Sequence, residues 1–538
     1  MAAVYEVLLT AQERSFTIDY EGSIDHPLAD IGKERARGFR TTAGTISEEG
    51  VYLSGYSLWY PRFEGRLETF VLDLELPGGW DGVSQGRRTA HHREESITRV
   101  RWESPEPQEE IYLIAGRFVE TSEPAGGIEA MVFLRSPDEA LARKYLDVTA
   151  RYVAMYEKLI GPYPYSKFAL VENFWETGYG MPSFTLLGPR VIRFPFILHS
   201  SYPHEILHNW WGNGVYPDYG KGNWSEGLTA YLSDHLIKEQ QGQGEAYRQT
   251  TLQKYADYVG KERDFPLTDF RSRHSTSSEA IGYGKSLMFF HMLRLEAGDA
   301  AFTRGLRDFY STYRFRSASF DEIRTSFEKV LKRDLSALFG QWVTRPGAPV
   351  LHVSGARSWK GDQGYLLEFV VEQTQRDKPF RLQVPLAVTI AGQDRAEQRT
   401  VTVDKQRAKI RLELPARPLR IDVDPEFDLF RRLHRMEIPP ALSQTFGAEK
   451  MLILLPASAD KATLEGYRFL AQAFAESGPE SVEVRLDSEV TELPGDRAVT
   501  LFGWDNAFVP TAEAALGDCD VVIDGAAVVV NQKRVARG

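Results

Sequence analysis

The sequence predicts a multidomain α+β protein: an amino-terminal antiparallel β domain, a mainly helical middle, a β-sandwich and a small carboxy-terminal α/β unit. Three observations carry this reading. The chain has 538 residues, more than one hydrophobic core serves. Short β-patterned runs separated by turn residues fill its first quarter and return after residue 350. Between them, from 136 to 350, the long apolar patterns have helical spacing. The expected boundaries are 1–135, 136–350, 351–430 and 445–538.

In the first segment, Val51-Tyr52-Leu53, Glu68 to Leu74 and Glu110 to Ile114 read as strands broken by Gly, Pro and charged turns. Ser136-Pro137-Asp138-Glu139 then reads as a helix start, with Ser136 as cap, Pro137 in the first turn and Glu139 closing a capping box. Leu141, Tyr145, Val148, Tyr152 and Met155 form the apolar face of that helix, and Gly161-Pro162 ends it. A few strands are expected near 167–192. Tyr365 to Val371 and Arg381 to Leu386 restore β alternation, as a sandwich requires. The tail mixes an apolar strand, Met451 to Leu455, with a helix near 461–475. There is no internal repeat and no low-complexity tract.

Composition narrows the function classes. A net charge of −11 argues against nucleic acid as a general partner. A single cysteine, Cys519, excludes an intramolecular disulfide framework and a cysteine-based zinc site. No run of about 18 apolar residues occurs, so no membrane span is expected. Met1 to Glu6 lacks the basic and apolar regions of a signal peptide, which makes a cytoplasmic location the default expectation.

The chemistry concentrates in His204-Glu205-Ile206-Leu207-His208. Two histidines four residues apart on a helix stand about 40° apart around its axis, so both imidazoles can face one metal ion. Glu205 follows the first of them and can point at a water on that metal, where a carboxylate acts as general base. A catalytic zinc needs a third protein ligand and one open position. Glu226 supplies the ligand, in Asn223-Trp224-Ser225-Glu226-Gly227, ahead of a helix expected from Leu228 to about Lys238. One Zn²⁺ is the expected cofactor.

These residues resemble the M1 family of zinc aminopeptidases, within the gluzincin group. The family pattern joins HExxH to W-x-G-N and a distal W-x-x-E-G, and His204 to His208, Trp210, Gly212, Asn213 and Glu226-Gly227 fall on it. Ile281 to Ser286 resembles the family segment whose tyrosine donates to the oxyanion, which gives Tyr283 that role. Gln341 to Pro349 resembles the junction into a β-sandwich. The resemblance spans about 140–350 and implies a thermolysin-like zinc catalytic domain with a helical extension, acting on a peptide or protein substrate. Seventeen residues separate His208 from Glu226, one fewer than the family spacing. In the family's G-x-M-E-N motif a glutamate binds the free amino terminus; Gly178-Tyr179-Gly180-Met181-Pro182-Ser183 has proline there. Gly180 and Met181 are the substrate-binding candidates, with Glu176, or Glu172, as a replacement carboxylate. The β region is short for the family, which leaves room for an export signal in a longer chain.

Other features have plainer readings. His91-His92 is expected in a solvated loop and His291 on a core helix face; His199 has no partner at a ligand spacing. Trp210 and Trp211 either line a pocket or pack behind the metal helix. The leading expectation is an aminopeptidase, the alternative a gluzincin endopeptidase that needs no free amino terminus. A non-catalytic scaffold is disfavoured, because both histidines, both glutamates and the tyrosine are present.

Overall fold

Glu68–Pro77 alternates half-buried and exposed residues along its whole length, the pattern of a strand with one face on a core. It pairs antiparallel with Ile97–Gln108, which pairs with Arg87–Arg93. A four-stranded antiparallel sheet lies in the same region, in the order Gly44–Ile46, Val51–Leu53, Leu113–Gly116, Asp81–Val83. The structure, a computed structural model, describes residues 15–30, 40–63, 65–260, 263–362, 364–439, 441–477, 479, 481–515, 521–523, 527–530 and 533–536. Cys519 and the Met1–Glu6 segment lie outside the described residues.

The chain forms two compact units. One comprises Met1–Leu252 with Phe265–Arg432, the other Gln253–Asp264 with Leu433–Gly538. In the first, a five-stranded sheet has the order Val119–Ala125, Ile128–Leu134, Lys167–Glu172, Phe184–Leu187, Gly178–Met181. Ile128–Leu134, Lys167–Glu172 and Phe184–Leu187 are parallel to one another, and both outer strands are antiparallel. This sheet runs across position 135, where the sequence suggests a boundary. Gly178–Met181 is one of its two edge strands among the described residues. The Gly178–Leu187 hairpin turns through Pro182 and Ser183.

Glu139–Leu159 is the long helix expected after the β region, and it buries Tyr145, Leu146, Val148, Tyr152 and Tyr156. Its start differs from the sequence reading. Asp138 is the cap, its side chain accepting from Leu141 N, and Ser136 and Pro137 lie outside the helix. A carboxylate three residues before an amide does the same work as the expected serine.

Beyond residue 350 come two three-stranded antiparallel sheets. One has the order Leu351–Gly361, Gly364–Gln373, Arg407–Leu414, the other Glu397–Val403, Leu382–Ile390, Pro418–Val423. The second unit has a parallel sheet, Ser481–Leu486, Lys450–Leu455, Ala498–Leu501, and the helix Lys461–Ser477. Its core is Met451, Ile453, Leu455, Ala471 and Phe502. Among the described residues no helix is long and apolar enough to cross a membrane.

His91 and His92 are on the strand Arg87–Arg93, not in a loop. His91 Nε2 lies 3.1 Å from the buried Asp81 carboxylate, which also accepts from Arg93 at 2.5 Å. Glu120 is near enough to complete a three-residue ligand set, but Arg88 grips it with two hydrogen bonds. Each carboxylate already faces a guanidinium, so the cluster is offset without a cation.

Candidate metal centre and active site

The site is built on a short helix, Ser201–Leu207, with His208 as its carboxy-terminal cap. The two imidazoles, four residues apart, come to 4.7 Å between ring centres at 76°. Behind them Trp210 and Trp211 are fully buried, so packing is what they do; Trp210 Nε1 donates to Gly161 O. Glu226 sits in the first turn of Ser225–Ala230. Its Oε2 lies 3.6 Å from His204 Nε2 and 3.5 Å from His208 Nε2.

Those separations fit a metal. Ligand atoms at about 2.0–2.1 Å from a tetrahedral zinc stand roughly 3.3 Å apart. Glu226 Oε2 is buried and accepts no hydrogen bond, which is costly for a carboxylate unless a cation meets it. Each histidine is also held from behind. His204 Nδ1 lies 3.0 Å from Asp234 Oδ2, and His208 Nδ1 lies 2.9 Å from Trp211 O. An Nδ1–H donated to those oxygens leaves both Nε2 lone pairs directed at the ligand position. Burial pulls the two imidazole pKa values down, but Asp234 and Glu226 outweigh it at His204, and Glu226 does so at His208. Glu226 itself is held well below the usual carboxylate range; burial opposes this, and the two histidines overcome it.

Asp234 was not identified from sequence. Eight α-helical steps from Glu226 overshoot two turns by about 80°. The expected uninterrupted helix is instead Ser225–Ala230, a π turn over Tyr231–His235, and Leu236–Gln240. One extra residue taken up by a π turn turns the helix back by about 100°, leaving Asp234 only about 20° from the Glu226 direction. That returns Asp234 toward the face carrying Glu226.

Tyr283 also rides a π turn, Ala280–Lys285. Its ring lies nearly parallel to His204, 6.3 Å between centres, and the Arg273 guanidinium stands over it at 5.6 Å. Burial and then the Glu226 charge push its phenol well above the ordinary value, so it stays protonated and able to donate. Two glycines permit this approach. A Cβ on Gly227 would stand 2.2 Å from Ser286 Cβ, and one on Gly282 would stand 2.2 Å from the Phe270 ring.

Glu205 is half-buried, and desolvation raises its pKa against the opposing pull of His208 and His204. Gly180 on the edge strand lies over it: an added Cβ would be 2.3 Å from Glu205 Oε2 and 3.4 Å from His208 Cδ2. The Gly180→Ala variant should therefore fold, because the carboxylate end can move aside. Misplacement of that carboxylate should lower turnover more than about tenfold. Metal analysis beside a steady-state assay checks this; unchanged turnover would contradict it.

The other substrate-binding candidates are placed differently. Met181 is buried in the core with Tyr52, Trp175 and Phe184, so its side chain is a packing group. Glu176 accepts from Arg190 N and Nε. Glu172 is 3% exposed and accepts from Arg193 and Arg135 N. Both carboxylates thus have arginine partners of their own. His199 is near Tyr152 OH, and His291 is buried between Tyr231 and Asp428.

Residues 199–342 match the model for the peptidase family M1 domain. The matched segment carries His204, Glu205, His208, Glu226 and Tyr283. Among its relatives is "Probable aminopeptidase 2" of Sulfurisphaera tokodaii, 22% identical over 324 residues, covering 55% of this chain and 40% of that protein. Leucyl aminopeptidase of Saccharolobus solfataricus is 20% identical over 335 residues, covering 58% of this chain and 41% of that one. In fold, the chain resembles aminopeptidase A of Legionella pneumophila, solved with aspartic acid. The TM-score is 0.61 at 14% identity, over 75% of this chain and 49% of the other. The chain thus spans about two fifths of the length of these two curated relatives.

Proposed function

We propose that this chain is a zinc-dependent peptidase of the aminopeptidase type, with His204, His208 and Glu226 as metal ligands, Glu205 as general base and Tyr283 as oxyanion donor. The observation that carries the reading is the convergence of His204 Nε2, His208 Nε2 and the otherwise unpartnered Glu226 Oε2 beside the half-buried Glu205. The aminopeptidase names of the relatives support the substrate class, a peptide.

A zinc ion held by His204, His208 and Glu226 would supply the Lewis acidity that acidifies water and polarises a carbonyl. Gly178–Met181 is an outer strand among the described residues, and an extended peptide would find backbone partners along it. Glu205 takes a proton from the attacking water and returns it to the leaving amine. Tyr283 Oη–H donates to the oxygen on which charge develops in the transition state. Changing Tyr283 to Phe should lower kcat by roughly a hundredfold or more with little change in metal content. A kcat equal to wild type would move the oxyanion role elsewhere.

Pro182 favours a second reading, because proline offers no carboxylate where the family's G-x-M-E-N motif binds an amino terminus. Matched peptides with free and acetylated amino termini, followed by mass spectrometry, separate the two. Stepwise removal of residues from the free peptide alone supports the aminopeptidase. Internal cleavage, or cleavage of both peptides, supports an endopeptidase on the same metal site.

A further inference from the structure

Beneath the site lies a buried polar group that the chemistry above does not use. Lys167 opens the central strand of the five-stranded sheet and is 2% exposed. Its Nζ donates to Ser183 Oγ at 2.9 Å and to Ser183 O at 3.0 Å, and it lies 5.0 Å from the Trp102 ring centre and 5.3 Å from that of Phe184. Among the described residues no carboxylate pairs with it. A buried amine served by one serine and two aromatic faces is a costly arrangement, so what it holds in place matters.

What it holds is the turn of the edge hairpin. Ser183 has φ of +66°, in the left-handed region that a residue with a side chain adopts only when its surroundings impose it. Every polar atom of Ser183 is engaged. Its N–H donates to Asn209 Oδ1 at 2.7 Å, its carbonyl also accepts from Ala169 N, and its hydroxyl accepts from Gly86 N at 3.1 Å. Asn209 directly follows the ligand His208. Its Nδ2 donates to the carbonyls of Ile206, at 2.9 Å, and of Glu205, at 3.3 Å, and its Oδ1 accepts from Tyr163 as well. One polar chain thus runs from the central strand, through the hairpin turn, to the backbone of the general base.

Resting on the peptidase reading, we infer that Lys167, Ser183 and Asn209 are positioning residues: a clamp that fixes the Gly178–Met181 edge relative to Glu205 and so sets where a peptide on that edge presents its scissile bond. Gly180 touches the space of Glu205 Oε2, so a shift of the hairpin moves the substrate's docking edge against the base. A long peptide, tied to the edge by several hydrogen bonds, follows the strand. A single-residue amide is free to follow Glu205 instead.

The test compares Lys167→Met, which keeps the stem and removes the amine, with Ser183→Gly, which accepts the left-handed backbone and removes the hydroxyl. Zinc content, kcat and KM are measured on a single-residue arylamide and on peptides of four or more residues, with hydrogen exchange over 178–187. The expected result is full zinc content, a kcat loss of roughly 10–100-fold on the peptides, a loss below about threefold on the arylamide, and faster exchange in the hairpin. A uniform loss that tracks zinc content or folded fraction would mean a merely structural role and overturn the inference; so would unchanged kinetics. Should wild type cleave nothing, the peptidase reading falls, and unchanged exchange in both variants still overturns the clamp separately.

Discussion

Replacing Glu205 by Gln should leave the metal bound and remove turnover. Gln has the size of Glu and none of the three proposed ligands is touched, so zinc content per chain should match wild type. The variant cannot accept a proton from water, and the loss of general base catalysis should cost roughly 10²–10⁴ in kcat. Metal analysis and single-turnover kinetics on one preparation check both halves. Wild-type turnover in the zinc-loaded variant would overturn the role of Glu205, while loss of zinc would make the variant uninformative about the base and point to a ligand role instead.

The second large effect is expected at Glu226. Its Ala variant should lose metal affinity by more than the roughly 10–100-fold typical of outer-shell changes, because a ligand itself is removed. Without the carboxylate, His208 loses the main partner that raises its pKa, while His204 keeps Asp234. Titration with zinc in a chelator-buffered series measures the affinity. The wild-type apoprotein, stripped by a chelator, should recover activity on adding zinc; the variant should not at the same free zinc. Equal zinc affinity in the two proteins would remove Glu226 from the ligand set.

The parts of this site that were legible in the sequence are those set by local geometry. His204, Glu205 and His208 lie within five residues on one helix, where a period of 3.6 settles which side chains face together. Glu226 could be named because an acidic residue before a helix and behind a Trp-rich turn is a local signal too. Asp234 could not, since the α-helical period points it away from Glu226 and only the π turn brings it back. Lys167 and Ser183 were invisible for another reason: they are sixteen residues apart, one on a strand and the other in a hairpin turn, and their pairing exists only once the sheet has its order. The arginines that occupy Glu172 and Glu176, Arg193 and Arg190, are likewise contributed by a later short 3-10 turn and its cap. At the level of the fold, alternation identified the strand starting at Glu68 and the helix after residue 138, while the choice between Ser136 and Asp138 as cap turned on which oxygen reaches the Leu141 amide.

The π turns at Tyr231–His235 and Ala280–Lys285 have a consequence for how this protein can change over time. Each is a helix carrying one residue more than an α-helix needs. Most substitutions leave that surplus in place, but losing a single residue from either turn would let it relax to ordinary α geometry and rotate everything beyond it by about 100°. Asp234 or Tyr283 would then face away without any residue of the site having been altered. The centre is therefore guarded by chain length as much as by residue identity: losing one residue from either helix should silence it as surely as changing a ligand.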